Sequence, residues 1–178
     1  PAPWRPGPDS VRRGFAEAVI PGRLDRRGKW LFDVAHNPDG VAALCSAIEA
    51  LAPKRPIHAL VSILGDKAWP EMLVQLDRVV DRGILTITPS AEGRRWDIEW
   101  LGRWLRDPSR PPAQAAWQLI PDFAEAMNAV QHGAETVVVA HNFSARSADA
   151  LLEVGAAAVE PILVDPGGAA TRQGDGWK

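Results

Sequence analysis

The chain has 178 residues, of which 46% are hydrophobic and 24% are charged, a composition typical of one globular domain with a buried core. A formal net charge of -2 gives no broad basic surface, so nucleic acid and anionic membranes are disfavoured as partners. Charged residues also interrupt every apolar run before it is long enough to span a bilayer. The single cysteine, Cys45, cannot form an internal disulfide and fits a reducing, cytoplasmic location.

Both ends of the chain are poor in core-forming side chains, and four prolines lie in the first ten residues. We therefore expect a flexible arm at 1–13, one α/β domain at 14–164 and a flexible tail at 165–178. The chain starts at Pro1 rather than at Met and has no apolar secretory segment, as expected for a piece of a longer protein.

The first predicted elements are two strands and a helix. Residues 14–25 and 29–35 have strand-type patterns and are separated by a turn around Gly28, which predicts a hairpin. Asn37, which is followed by a proline, suits an N-cap, and apolar residues then recur at helical spacing, so a helix is predicted over 38–51.

Strand and helix patterns alternate along the rest of the chain. Short apolar runs predict strands, and apolar residues at a helical period predict helices: strands at 56–64, 83–88, 116–120 and 136–141, and helices at 69–80, 96–107, 121–133 and 144–155. This alternation, with short connections, predicts a doubly wound α/β fold with a mostly parallel sheet and helices on both faces.

Two predicted strands run into the same triplet, Ala-His-Asn, at 35–37 and 140–142. Ligands of open parallel sheets bind beyond the carboxyl ends of the strands, where helix N-termini direct free N–H groups outward. At the first triplet, the carboxylate of Asp33 can accept hydrogen bonds from two ribose hydroxyls, and the imidazole of His36 can lie against a purine. The structural alternative is that Asp33 pairs with a helix N-terminus and His36 is a satisfied core histidine. Asn37 is expected to cap the helix in either case.

Two further candidates lie on the same predicted edge. The turn at Pro21-Gly22 presents Arg23, whose guanidinium suits phosphate oxygens, although an isolated arginine is more often part of a surface ion pair. Asp66 and Lys67 follow the strand at 56–64, and the alternative for them is a helix cap beside a solvated lysine.

A metal site and several standard motifs are not predicted. Asp33, His36 and Asp39 have ligand chemistry suitable for a metal, but Asp39 falls on the first helical turn, where its charge complements the helix dipole. The sequence contains no GxxxxGK[ST] loop, no GxGxxG after a strand and no GxSxG elbow. It therefore lacks the usual standalone motifs for triphosphate cleavage, dinucleotide binding and ester hydrolysis.

The combined motifs resemble a known family. PGRLD at 21–25, LFDVAHNPDG at 31–40 and ILGDKAWPEML at 63–73, in this order and spacing, are similar to the C-terminal domain of folylpolyglutamate synthase/dihydrofolate synthase, a member of the Mur ligase superfamily. The similarity covers about residues 14–155. The resemblance implies a Rossmann-like domain of an ATP-dependent amide ligase, in which a pterin or folate carboxylate is phosphorylated by ATP and the amine of L-glutamate then attacks the acyl phosphate.

The resemblance also implies roles for individual residues. Asp33 would bind the ribose of ATP, His36 and Asn37 would lie near the adenine, and Arg23 would reach the ATP phosphates as a catalytic residue. In such enzymes an N-terminal domain carries the phosphate loop and the magnesium ligands. ATP and Mg²⁺ are therefore implied as cofactors, that ATPase domain as the partner, and the isolated chain is expected to be inactive.

Asp66 and Lys67 match the Asp-Lys element of the family, which implies nucleotide binding by Asp66 and a catalytic role for Lys67. The chain departs from the family at His141 and Asn142, where Gly-Ser is usual after the last strand. One alternative is therefore another Mur-type amino-acid ligase that acts on a different carboxylate.

The other alternative is a binding or interaction module derived from such a ligase. Trp96, Trp100 and Trp104 are spaced four residues apart and are predicted to pack one helix onto the sheet. An exposed tryptophan patch for a partner protein would instead favour the binding module.

Overall fold

A computed structural model describes residues 5–18, 22–110 and 113–141. The described part contains five α-helices and six strands: α1 (Pro8–Glu17), β1 (Asp25–Arg27), β2 (Trp30–Asp33), α2 (Pro38–Leu51), β3 (Ile57–Ser62), α3 (Trp69–Leu76), β4 (Arg82–Leu85), α4 (Ile98–Arg106), β5 (Ala116–Leu119), α5 (Phe123–Gln131) and β6 (Thr136–His141). A 3-10 helix at Pro89–Arg94 follows β4.

The six strands form one mixed sheet in the order β1-β2-β6-β3-β4-β5. Strand β1 pairs antiparallel with β2 through the predicted hairpin, and every other pairing is parallel. Strand β6 is central, because Val138 pairs with Leu31 of β2 on one side and with Ala59 of β3 on the other. The predicted mostly parallel sheet is confirmed.

Helices cover both faces of the sheet. Apolar side chains of α2 and α3 pack against alternate strand residues such as Leu31 and Val138. Helix α5 packs on the opposite face, against the intervening residues Phe32 and Val139. All four residues of β2 are buried, as expected for a strand that is covered on both sides. The doubly wound arrangement predicted from the sequence is therefore confirmed.

The prediction of one long strand over 14–25 is wrong in its first part. Helix α1 begins at Pro8, inside the predicted arm at 1–13, and continues to Glu17, and the first strand among the described residues is Asp25–Arg27. Proline at the first helical position, Asp9 in the first turn and an ion pair from Asp9 to Arg12 at 3.7 Å all favour the helix. The helix predicted at 144–155 and the tail at 165–178 lie outside the described residues.

Four tryptophans pack together between α3 and α4. The ring of Trp69 in α3 makes edge-to-face contacts with Trp96, Trp100 and Trp104, at centroid distances of 6.0, 4.4 and 5.3 Å respectively. The three tryptophans therefore pack their segment onto α3, and Trp96 and Trp104 also belong to the apolar core that includes strand residues. Trp100 remains 43% exposed at the edge of this cluster.

Candidate functional site

The carboxyl ends of three neighbouring strands lie level with one another. Ala140 of β6 pairs with Asp33 of β2 on one side and with Val61 of β3 on the other. The segments that follow β2 and β3 therefore leave the sheet at the same edge, which is where ligands of parallel α/β sheets bind. This edge carries all the site residues predicted from the sequence.

Asp33 is a buried carboxylate that joins two segments of the chain. One oxygen accepts a hydrogen bond from the N–H of Ala35 at 2.8 Å, and the other accepts from the N–H of Leu24 at 3.0 Å. Only 5% of Asp33 is exposed. The sequence placed Asp33 beside either a ribose or a helix N-terminus. The structure shows a contact that was not predicted, with the turn that precedes β1.

That turn holds Arg23 between two residues in the left-handed backbone region. The φ angles are 73° at Gly22 and 47° at Leu24. Glycine adopts this conformation freely, whereas it costs a residue such as leucine about 1–2 kcal/mol. The carbonyl of Gly22 accepts a hydrogen bond from the N–H of Val34 at 2.8 Å, which ties the turn to the end of β2.

Arg23 is exposed at the tip of this turn. Its guanidinium makes no hydrogen bond or ion pair with any residue that the structure describes. The surface ion pair considered from the sequence is therefore not found among those residues. The turn holds the backbone of Arg23, and none of the described residues engages its guanidinium. The guanidinium can therefore bind an anionic ligand without first breaking a contact with those residues.

A second buried carboxylate, Asp25, lies on the other side of the turn. It accepts a hydrogen bond from the N–H of Gly22 at 3.3 Å. It also pairs with Arg27, whose Nε and terminal nitrogen lie 3.2 and 3.1 Å from the two carboxylate oxygens. The sequence analysis did not select Asp25. The available signal was its position two residues after Arg23, in the sequence PGRLD.

His36 and Asn37 continue the chain from β2 into α2. Nδ1 of His36 lies 3.0 Å from the carbonyl of Val34. Because a carbonyl only accepts, Nδ1 must carry the hydrogen, which leaves Nε2 of the neutral ring as an acceptor. His36 is half-buried, so it is not a fully satisfied core histidine. Asn37 caps α2 as predicted, since its side-chain oxygen accepts from the N–H of Gly40 at 2.7 Å.

Asp66 and Lys67 form a separate group on the same edge. Strand β6 lies between β2 and β3, so the two strands that lead to these groups are two strand spacings apart, roughly 10 Å. Asp66 is exposed and pairs with Arg94 at 2.6 Å. The hydrogen bond from Arg94 holds the pKa of the Asp66 carboxyl below its usual range. Lys67 is half-buried, and its backbone N–H donates to the carbonyl of Leu64 at 3.0 Å.

Arg94 was not selected from the sequence. It ends the 3-10 helix after β4, and its carbonyl accepts from the N–H of Gly65 at 2.8 Å. The sequence signal was a pair of arginines soon after a predicted strand end.

The described residues contain no cluster of three His, Cys, Asp or Glu suited to a metal, and none of their helices is long and apolar enough to cross a membrane.

Curated relatives match about half of the chain. A dihydrofolate synthase/folylpolyglutamate synthase of Mycobacterium tuberculosis is 35% identical over 96 residues, which are 52% of this chain and 19% of that protein. The enzyme of the same name from Escherichia coli is 34% identical over 76 residues, 41% of this chain and 18% of that protein. The matched part is thus less than a fifth of each relative.

Solved structures match more of the chain. Escherichia coli FolC in complex with DHPP and ADP matches with a TM-score of 0.60 and 26% identity, over 79% of this chain and 32% of that one. Mycobacterium tuberculosis folylpolyglutamate synthase complexed with ADP and AMPPCP matches with a TM-score of 0.58 and 27% identity, over 75% of this chain and 32% of that one.

The family model described as "Mur ligase, glutamate ligase domain" matches residues 22–157, which include the Arg23 turn, Asp33 and the Asp66-Lys67 pair. The match extends over more than half of the chain. This chain therefore belongs to the Mur ligase, glutamate ligase domain family.

Proposed function

We propose that this chain is the nucleotide-closing domain of an ATP-dependent ligase that adds L-glutamate to dihydropteroate or folate. The observation that carries the proposal is the exposed side chain of Arg23, held on a turn that is hydrogen-bonded to Asp33 and Val34 at the carboxyl edge. The names of the relatives and their ADP complexes support the same reaction class. Because the chain matches only about a third of the solved relatives, we propose that it is catalytically incomplete without an N-terminal phosphate-loop domain.

Ligation of this kind proceeds in two chemical steps. A carboxylate oxygen attacks the terminal phosphorus of ATP to give an acyl phosphate and ADP, and the amine of glutamate then displaces phosphate to form the amide. Arg23 would bind phosphate oxygens and offset negative charge on the phosphoryl group during its transfer. The planar fork of its guanidinium matches two phosphate oxygens at once.

The nucleoside side of the proposed site has two acceptors. With the Nδ1 hydrogen directed at the carbonyl of Val34, Nε2 of His36 can accept from an amino group on a purine, and the cap at Asn37 places the start of α2 beside it. Each oxygen of Asp33 has accepted one N–H and keeps a second lone pair for a ribose hydroxyl. Only 5% of Asp33 is exposed, so little of its surface is open to a ligand. Its first role is therefore to hold the Arg23 turn, and ribose binding is its second role.

The remaining predicted residues complete the proposal. Lys67 would supply a second cation on the same edge, and Asp66, oriented by Arg94, would face the nucleotide. Mg²⁺ is assigned mainly to the N-terminal domain. Closure of the two domains would exclude water from the acyl phosphate, which hydrolysis would otherwise destroy. We propose a cytoplasmic location for the enzyme.

The proposal is tested in the complete protein that contains this domain. Arg23→Ala is expected to lower glutamate incorporation into dihydropteroate about 100-fold or more, the usual effect of removing one transition-state charge donor. Arg103→Ala is the matched control, because Arg103 is 62% exposed on α4 and should leave turnover unchanged. Full turnover of Arg23→Ala would refute the assignment.

Two cheaper observations separate the alternatives. The coding sequence before Pro1 is expected to encode a phosphate loop, and an unrelated domain there would favour an interaction module. Activity of the complete protein with pteroate, folate and muramyl precursors identifies the carboxylate. Exclusive use of a muramyl precursor would replace the folate assignment with another Mur-type ligase.

A further inference from the structure

We propose that Asp25 is a positioning residue that acts through Arg23, an inference that rests on the phosphate-binding role proposed above for Arg23. The two residues that flank Arg23 have their amides held by different buried carboxylates. The N–H of Gly22 donates to Asp25 at 3.3 Å, and the N–H of Leu24 donates to Asp33 at 3.0 Å. Arg23 therefore lies at the centre of a turn that is fixed on both sides.

The backbone of this turn needs such support. Leu24 has a φ of 47°, which L-residues other than asparagine and aspartate rarely adopt. Its side chain offers no compensation through burial, because Leu24 is 43% exposed. A conformation of this kind persists when its surroundings determine it, and it occurs most often at functional sites. The hydrogen bonds to the two carboxylates are the surroundings that determine it here.

Arg27 in turn fixes the side chain of Asp25. Its two contacts with the carboxylate, at 3.2 and 3.1 Å, form a forked pair in which the Asp25 side chain is 8% exposed and the Arg27 side chain 16%. A buried ion pair contributes little net stability, because desolvation of both charges offsets their attraction. It does define one orientation of the carboxylate. Asp25 is thereby aimed at the amide of Gly22.

The position of the turn matters because no described residue holds the guanidinium of Arg23 by a hydrogen bond or an ion pair. The backbone of the turn therefore sets the position from which the side chain reaches a ligand. A misplacement of about 1 Å in a catalytic group can cost about 100-fold in rate. Loosening the turn at Gly22 should therefore reduce turnover, although Asp25 does not itself contact a substrate.

A double-mutant cycle in the complete ligase tests the inference. Asp25→Asn is expected to lower kcat about 10- to 100-fold, since it removes the charge that orients the turn. The same change made in an Arg23→Ala background is expected to lower kcat less than about twofold further, because the group that Asp25 positions is then absent. A purely structural role would reduce activity equally in both backgrounds.

Two further variants keep the test decisive. Asp25→Glu retains the charge but displaces the carboxylate by one methylene, so it should fold and show a smaller loss that also disappears in the Arg23→Ala background. Asp77→Asn is the matched control, since the Asp77 carboxylate accepts three N–H groups near the opposite end of the sheet. It should lower thermal stability and leave kcat unchanged.

The outcomes separate this inference from the proposed function. If Arg23→Ala is slow but Asp25→Asn and Asp25→Glu turn over like the parent, or reduce kcat equally in both backgrounds, the positioning role is overturned and the proposed function stands. If Arg23→Ala turns over normally, the proposed function fails and the positioning role fails with it.

Discussion

Replacing Asp33 with alanine should destabilise the fold as well as impair ligation. The substitution removes the acceptor for the N–H groups of Leu24 and Ala35, now bonded at 3.0 and 2.8 Å. Ala35 is 1% exposed, so water cannot replace the lost partner, and this bond to a charged acceptor is worth about 2 kcal/mol. Leu24 is 43% exposed, so water can hydrate its N–H, and the loss of this hydrogen bond costs only about 1 kcal/mol. The free energy of unfolding should fall by about 3 kcal/mol.

Thermal and urea unfolding, followed by circular dichroism and tryptophan fluorescence, measure this loss. For a chain of this length, about 3 kcal/mol lowers Tm by roughly 6–12 °C. Arg23→Ala, which removes an exposed side chain without a described partner, should change stability by less than about 0.5 kcal/mol. Asp33→Asn should lie between the two, because its remaining carbonyl oxygen can keep one of the N–H bonds.

The reasoning is refuted if Asp33→Ala unfolds within about 2 °C of the parent. That result would mean that the two hydrogen bonds contribute nothing to the fold. Asp33 would then be a carboxylate kept only for its ligand, which is one of the two roles that the sequence analysis left open.

Three other predictions concern residues away from the proposed site. Gly83→Ala should destabilise the protein by about 3 kcal/mol in thermal melts, because a Cβ there would lie 2.2 Å from ring atoms of Trp117. The pKa of Asp81 is lowered: partial desolvation is the largest single influence and raises it, but the hydrogen bonds from Arg55 and from the N–H of Ile57, together with the charge of Arg55, outweigh desolvation. This carboxylate therefore stabilises the fold above its unfolded pKa and loses that effect as the pH falls through its folded pKa. Since Asp81 is more than a third exposed, the advantage of the parent over Asp81→Asn in urea should be under about 1 kcal/mol at pH 7 and vanish in acid. Burial raises the pKa of the Cys45 thiol to about 11, so iodoacetamide at pH 8 should label it about 100-fold more slowly than an unperturbed thiol.

The sequence by itself determined the elements that have strong local signals. Asn37 and the proline after it mark the start of α2, and the predicted helix at 38–51 matches the observed one. The apolar run at 136–141 likewise matches β6. A Pro-Gly turn and a position at a strand end were the signals that selected Arg23 and Asp33, respectively, as candidates. These signals are short in range, since a cap or an apolar run acts on residues that are near in the chain.

Tertiary structure alone decided the order of the strands and the contacts within the site. Strand β6 is the last strand of the described chain, yet it lies between β2 and β3, an order that no local pattern encodes. Asp33 meets the N–H of Leu24 nine residues away, and Asp66 meets Arg94 twenty-eight residues away. Such contacts depend on where the folded backbone brings two segments together. The left-handed conformation of Leu24 is likewise invisible in the sequence, because leucine has no intrinsic preference for it and only the surrounding hydrogen bonds hold it there.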